Sequence, residues 1–126
     1  FGGVSGYFAK GADELCVVLQ LETVEAVANL AEIAAVAGVD SIFIGPSDLS
    51  ASMGLVGQVD HPSVQEVLAK AAKACAAVGK PVGILASSAA RASDYFGYGY
   101  NWVASGSDLA LMMGAAREAV KTIRRS

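Results

Sequence analysis

The sequence is short of charge. Only 17% of its 126 residues are Asp, Glu, Lys or Arg, against 54% hydrophobic. So apolar a chain is excluded from the disordered class and has material for one buried core. Basic clustering is also missing: nine Lys and Arg are scattered until the closing KTIRRS, and the formal net charge is −3. No basic stripe points to nucleic acid. The terminal cations suit the negative end of a helix dipole instead. Long apolar runs are absent too. Glu32, Asp40, Lys73 and Glu118 interrupt the candidates well before the roughly 20 residues a bilayer crossing needs. The opening FGGVSGYFAK lacks a basic start and apolar run, so no signal peptide is expected. Cysteine is scarce, with Cys16 in an expected strand, Cys75 in an expected helix, and no CxxC or Cys/His spacing. Two buried free thiols in a cytoplasmic protein are expected.

What is present is an alternation. Residues 15–21, LCVVLQL, read as a buried strand. Thr23 suits the cap of a following helix, with Glu25 in its first turn and an apolar stripe of Val24, Val27, Leu30, Ala31 and Ala34 ending at Gly38. DSIFIG is a second strand, and the polar stretch after Gly45-Pro46 reads as a loop. Pro62 and Ser63 open a helix to about Val78, where Gly79 stops it. KPVGILA, a helix over residues 89–96, the turn GYGYN, the strand WVASG and a helix from Asp108 to the basic end complete the chain. GYGYN precedes a strand, whereas a dinucleotide-binding glycine loop follows one, so it is read as a turn.

Four βα units in a row imply a parallel sheet with right-handed crossovers. Both an open doubly wound sheet and part of a (β/α)₈ barrel fit. A whole barrel needs roughly 250 residues. A free half-barrel would leave two unpaired edges and an uncovered inner face. With Phe1 in place of an initiator Met, residues 1–126 are expected to be the C-terminal half of a larger domain.

In α/β proteins of either kind, ligands meet the C-terminal ends of the strands. Glu22 follows the first strand and Asp48 the second, one βα unit apart. Adjacent strand ends lie about 5 Å apart, where two carboxylates repel unless one is protonated or a cation lies between them. A hard divalent ion such as Mg²⁺ needs only one or two carboxylates and leaves positions for water and substrate. Gln20 shares the face of Glu22 one layer deeper, as a supporting partner. Two readings stay open from spacing alone: a metal pair, or Glu22 beside a helix cap and Asp48 capping a turn. Gly45 permits close approach of a ligand to the backbone. Ser47 and Asp48 offer consecutive N–H groups for a carboxylate, which together with a metal would suit a 2-oxo acid. SGSD after the fourth strand stands where many barrels bind phosphate, but helix capping by Ser107 or Asp108 is the preferred reading.

The motifs VVLQLET, SIFIGPSDLSASMG, HPSVQ, GKPVGILA and VASGSD, in this order, resemble the C-terminal half of the HpcH/HpaI family of class II, metal-dependent aldolases. FGGVSGYFAK is similar to the segment before the fifth barrel strand in 2-dehydro-3-deoxyglucarate aldolases. The resemblance implies a (β/α)₈ TIM barrel in which these are strands five to eight. It implies Glu22 and Asp48 as ligands of Mg²⁺, Mn²⁺ or Co²⁺, the amides of Ser47 and Asp48 as binders of the pyruvate carboxylate, and Leu85 as a pocket residue. The implied reaction is reversible cleavage of a 4-hydroxy-2-oxo acid to pyruvate and an aldehyde. No Schiff-base lysine is needed, so Lys10 and Lys80 are expected to be surface or helix-end charges. The family's catalytic His and Arg belong to the N-terminal half, which is absent here. His61, the only histidine, is assigned to loop structure or the start of a helix, and the fragment alone is expected to be inactive. The resemblance further implies hexamers built from dimers that exchange the last helix, with contact through Leu111, Met112 and Met113. The alternatives are a citrate lyase β-like acyl-CoA lyase and a non-catalytic half-barrel that serves only assembly.

Overall fold

The computed structural model describes residues 3–124. The elements run α1 (Tyr7–Lys10), a 3₁₀ turn (Gly11–Glu14), β1 (Val18–Leu21), α2 (Val24–Ala28), α3 (Leu30–Ala34), β2 (Ser41–Ile44), α4 (Pro46–Ser52), α5 (Pro62–Ala77), β3 (Val82–Ala86), α6 (Ala89–Tyr98), β4 (Trp102–Ser105) and α7 (Asp108–Arg124). All strand pairs are parallel and the sheet order is β1-β2-β3-β4. Chain order and sheet order coincide, as successive crossovers of one hand require.

Strand alternation sorts the sheet into two faces. Leu21, Ile42, Ile44, Val82, Ile84 and Ala86 point outward into the helical layer and are buried. Against them pack Leu30, Leu49, Val64, Leu68, Ala72, Cys75, Tyr95 and Tyr100. Each fully buried Leu or Ile contributes about 1.5–3 kcal/mol. Tyr100 Oη donates to the Leu68 carbonyl at 3.0 Å, which keeps its polar end satisfied inside this layer.

The opposite face holds Val18, Gln20, Phe43, Leu85 and Trp102, none of them buried. The Trp102 ring stacks on Phe43 with centroids 5.1 Å apart, and its Nε1 donates to Ser41 Oγ at 3.2 Å. The indole lies over Gly83: a Cβ there would come within 2.2 Å of the ring.

Several expected boundaries move. The first strand begins at Val18, because Val18 pairs with Ser41 at the start of β2 and residues 15–17 have no strand partner among the described residues. Cys16 therefore stands outside the strand and is exposed, and only Cys75 is the expected buried thiol. The helix after Thr23 breaks at Asn29, whose φ −92 and ψ 11 leave the helical region. The stretch after Gly45 is a two-turn helix and not a loop, with Pro46 at the first helical position, where its missing N–H costs nothing. The helix from Asp108 has its described end at Arg124, and Arg125 lies outside the described residues. No residue of α7 is buried, although it spans 17 positions.

Candidate metal and substrate site

Glu22 follows β1 directly and is half-buried. Gln20 Nε2 donates to Glu22 Oε2 at 2.5 Å, so one carboxylate oxygen is held from below. Gly45 stands beside Glu22 at the end of β2, its amide donating to the Leu21 carbonyl at 3.0 Å. A Cβ on Gly45 would lie 3.0 Å from Glu22 Oε2 and 3.1 Å from Gln20 Nε2. The Gln20–Glu22 pair thus lies across the glycine, and any larger residue would displace it.

Asp48 is the third residue of α4 and is exposed. Gly45, the N-cap, offers no side chain, and the first helical bond runs from the Leu49 amide to the Gly45 carbonyl at 3.0 Å. The amides of Ser47 and Asp48 consequently meet no acceptor among the described residues, as helix geometry requires of an uncapped start. Asp48 itself caps nothing: α4 has no side-chain cap bond, and Ser50 Oγ donates instead to the Ser47 carbonyl at 2.7 Å. The ion pairs among the described residues are Lys70–Glu66, Arg91–Asp60, Arg91–Asp94 and Lys121–Glu118, so neither Glu22 nor Asp48 has a cationic partner there.

Glu22, after β1, and Asp48, in the first turn of α4 after β2, are oxygen donors without a cationic partner among the described residues, the donor type that a hard divalent ion takes. No group of three His, Cys, Asp or Glu residues among the described residues could hold a metal. The remaining positions around an ion would fall to water and substrate, as is usual for Mg²⁺.

The other singled-out residues have structural work. Thr23 Oγ1 accepts from the Ala26 amide at 3.1 Å, capping α2. His61 caps α5, its Nδ1 accepting from the Ser63 amide at 3.3 Å. Ser88 and Ser107 cap α6 and α7 through the Arg91 and Ala110 amides at 3.2 and 3.1 Å. Lys80 Nζ donates to the Val39 carbonyl, and Lys10 ends α1. Leu85, 38% exposed, and Ser47 both line an open cleft of about 230 Å³. Sequence reasoning missed Asp60 on the same cleft and its partner Arg91, 31 positions away at 2.5 Å. No local pattern joins such distant residues.

Residues 5–115 match the family model described as HpcH/HpaI aldolase/citrate lyase. The chain belongs to this family. Within the HpcH/HpaI proteins it is 40% identical over 124 residues to a 2-dehydro-3,6-dideoxy-6-sulfogluconate aldolase of Pseudomonas putida, covering 98% of this chain and 49% of that protein. It is likewise 40% identical over 125 residues to a 5-keto-4-deoxy-D-glucarate aldolase of Shigella dysenteriae, covering 99% and 49%. The crystal structure of an HpcH/HpaI aldolase/citrate lyase family protein from Burkholderia cenocepacia superposes with a TM-score of 0.87 at 34% identity, over 98% of this chain and 48% of that one. The chain thus spans about half the length of the relatives it matches. Its four parallel βα units correspond to about half of a full-length TIM-barrel aldolase.

Proposed function

We propose that these residues form the metal- and pyruvate-holding half of a divalent-metal-dependent aldolase, as part of a longer chain. The reaction is the reversible cleavage of a 4-hydroxy-2-oxo acid, of the 2-keto-3-deoxy sugar acid or 4-hydroxy-2-oxoheptanedioate type, to pyruvate and an aldehyde. One observation carries the reading: Glu22 and Asp48 lack cationic partners among the described residues, beside two consecutive free amides on Ser47 and Asp48.

Each residue has a task in that reading. The Ser47 and Asp48 amides bind the pyruvate carboxylate at the positive end of α4. Glu22 and Asp48 would hold Mg²⁺, Mn²⁺ or Co²⁺, while Gln20 fixes the Glu22 carboxylate and Gly45 leaves it room. A divalent ion held there supplies Lewis-acid stabilisation of the negative charge that develops when the carbon–carbon bond breaks. Leu85 covers one side of the substrate and excludes water. Proton transfer falls to a His, and polarisation of the keto group to an Arg, both from outside these residues, since His61 is engaged in capping α5. The lining of the cleft contains no Lys, Arg or His for the phosphates of an acyl-CoA, which counts against the citrate lyase β-like alternative.

The bare apolar side chains of α7 support a homo-oligomer in which this helix packs on another subunit, as in hexamers with exchanged last helices. No described helix is long and apolar enough to cross a membrane. The test follows the methyl protons of pyruvate in D₂O with Mg²⁺ by proton NMR. An enzyme of its relatives' full length carrying these residues should exchange them without any aldehyde, and residues 1–126 alone should not. Absence of exchange in the full-length chain would refute the reading.

A further inference from the structure

Glu22 and Asp48 stand on segments that leave the sheet separately. The last bond between them at the sheet runs from the Gly45 amide to the Leu21 carbonyl at 3.0 Å. Past it the backbone continues through Glu22 and Thr23 into α2 on one side, and through Gly45 into α4 on the other. Among the described residues one hydrogen bond rejoins the two sides: the Val24 amide donates to Ser52 Oγ at 3.1 Å. Val24 is the first residue of α2, where an amide has no acceptor inside its own helix. Ser52 is the last residue of α4, one turn after Asp48. Residues four apart share a helix face, and burial divides α4 accordingly. Pro46, Leu49 and Ser50 are buried, whereas Asp48, Ala51 and Ser52 are exposed. Since Ser52 meets the start of α2, Asp48 stands on the face of α4 turned toward the segment that carries Glu22.

We infer that Ser52 is a positioning residue for the metal pair: its bond to Val24 fixes the rotation of α4 and so the separation of the Glu22 and Asp48 carboxylates. The inference rests on the metal-dependent aldolase reading above, and every group it invokes lies within these residues. Gln20 and Gly45 settle the Glu22 carboxylate, but nothing in that arrangement sets how far away Asp48 stands. Two neighbouring carboxylates repel when no cation lies between them, and the repulsion acts to swing α2 and α4 apart. The Val24–Ser52 bond opposes it, so a divalent ion meets donors already in place. Without the bond only a fraction of the molecules would hold the competent spacing, and the apparent affinity would fall by that fraction.

The test is Mn²⁺ binding to the full-length enzyme without substrate, read from the free-ion signal in electron paramagnetic resonance. Ser52→Ala should weaken binding by about threefold to tenfold, the range that one hydrogen bond sets. Ser52→Thr keeps the hydroxyl and should bind within about twofold of the parent. Thr23→Ala removes the α2 cap beside Glu22 without touching α4. It should lower the melting temperature and leave the affinity within about twofold of the parent. Stoichiometry and affinity are fitted separately, so a smaller folded fraction lowers the first and leaves the second readable. Affinity unmoved by Ser52→Ala, or weakened as much by Ser52→Thr or Thr23→Ala, overturns the inference. Glu22→Gln, measured alongside, separates the two levels. If it abolishes binding, such a result removes the role of Ser52 alone; if it binds Mn²⁺ like the parent, the metal reading and this inference fall together.

Discussion

Helices α5 and α7 are nearly equal in length, 16 and 17 residues, and both carry an apolar stripe, yet their surroundings are opposite. α5 buries Val64, Leu68, Ala71, Ala72 and Cys75 against the sheet. α7 buries nothing and exposes Leu111 at 70% and Ile123 at 73%. The lesson is that amphipathic periodicity shows a helix will cover an apolar surface but not whose surface it is. The sheet repeats the contrast, with its outer face closed by helices and its inner face and C-terminal rim open. The packed layer is the scaffold, and the open regions are where we propose that chemistry and assembly take place.

The sharpest way to break this division is at the rim. In the full-length chain, Glu22→Gln or Asp48→Asn should lower Mg²⁺-dependent pyruvate release by about a hundredfold or more, with the melting temperature close to that of the parent. A parallel fall in melting temperature would show that the pair serves stability. Leu68→Ala tests the other side. It should cost about 2–5 kcal/mol in urea unfolding and leave metal affinity intact in the folded fraction.

Alkaline pH probes the packed layer more gently. Burial pushes the Cys75 thiol from an ordinary value near 9 up to about 11, and burial likewise raises the Tyr100 hydroxyl. The fold prefers the neutral forms, so the folded state binds more protons than the unfolded one. Stability should therefore be full below about pH 9 and decline as pH rises toward 11. Denaturant titrations across that window should show the decline, and it should be shallower in Cys75→Ala. Cys16, exposed, should react with a thiol reagent at once, whereas Cys75 should wait for unfolding. The smallest effect is expected in α7. Leu111→Ser with Met112→Ser should change unfolding free energy within about 0.5 kcal/mol per site when the protein is dilute, while sedimentation shows loss of association. A large loss in the dilute protein would mean that α7 packs on its own chain.

The βα alternation and sheet direction were legible because parallel buried strands are short apolar runs, and here turn residues flank each one. Glu22 and Asp48 were legible as candidates because strand ends are where such folds bind ligands. The helix at Pro46 was not, because a proline after a glycine marks a helix start and a chain break equally well. Neither was the Asp60–Arg91 pair, which depends on the packing of α6 against the segment before α5. The exposure of Cys16 was hidden for a similar reason: where β1 begins is set by its partner β2 and not by its own residues.

The placement of Trp102 also gives the protein an optical reporter. It is the only tryptophan in the sequence, and 37% of its surface is exposed on the open face of the sheet. Its indole sits over Gly83 and stacks on Phe43. Whatever covers that face must dehydrate this single ring, so fluorescence emission should shift to shorter wavelength as the face closes. Barrel closure thus becomes a quantity that can be followed in real time, without a label and without waiting for turnover.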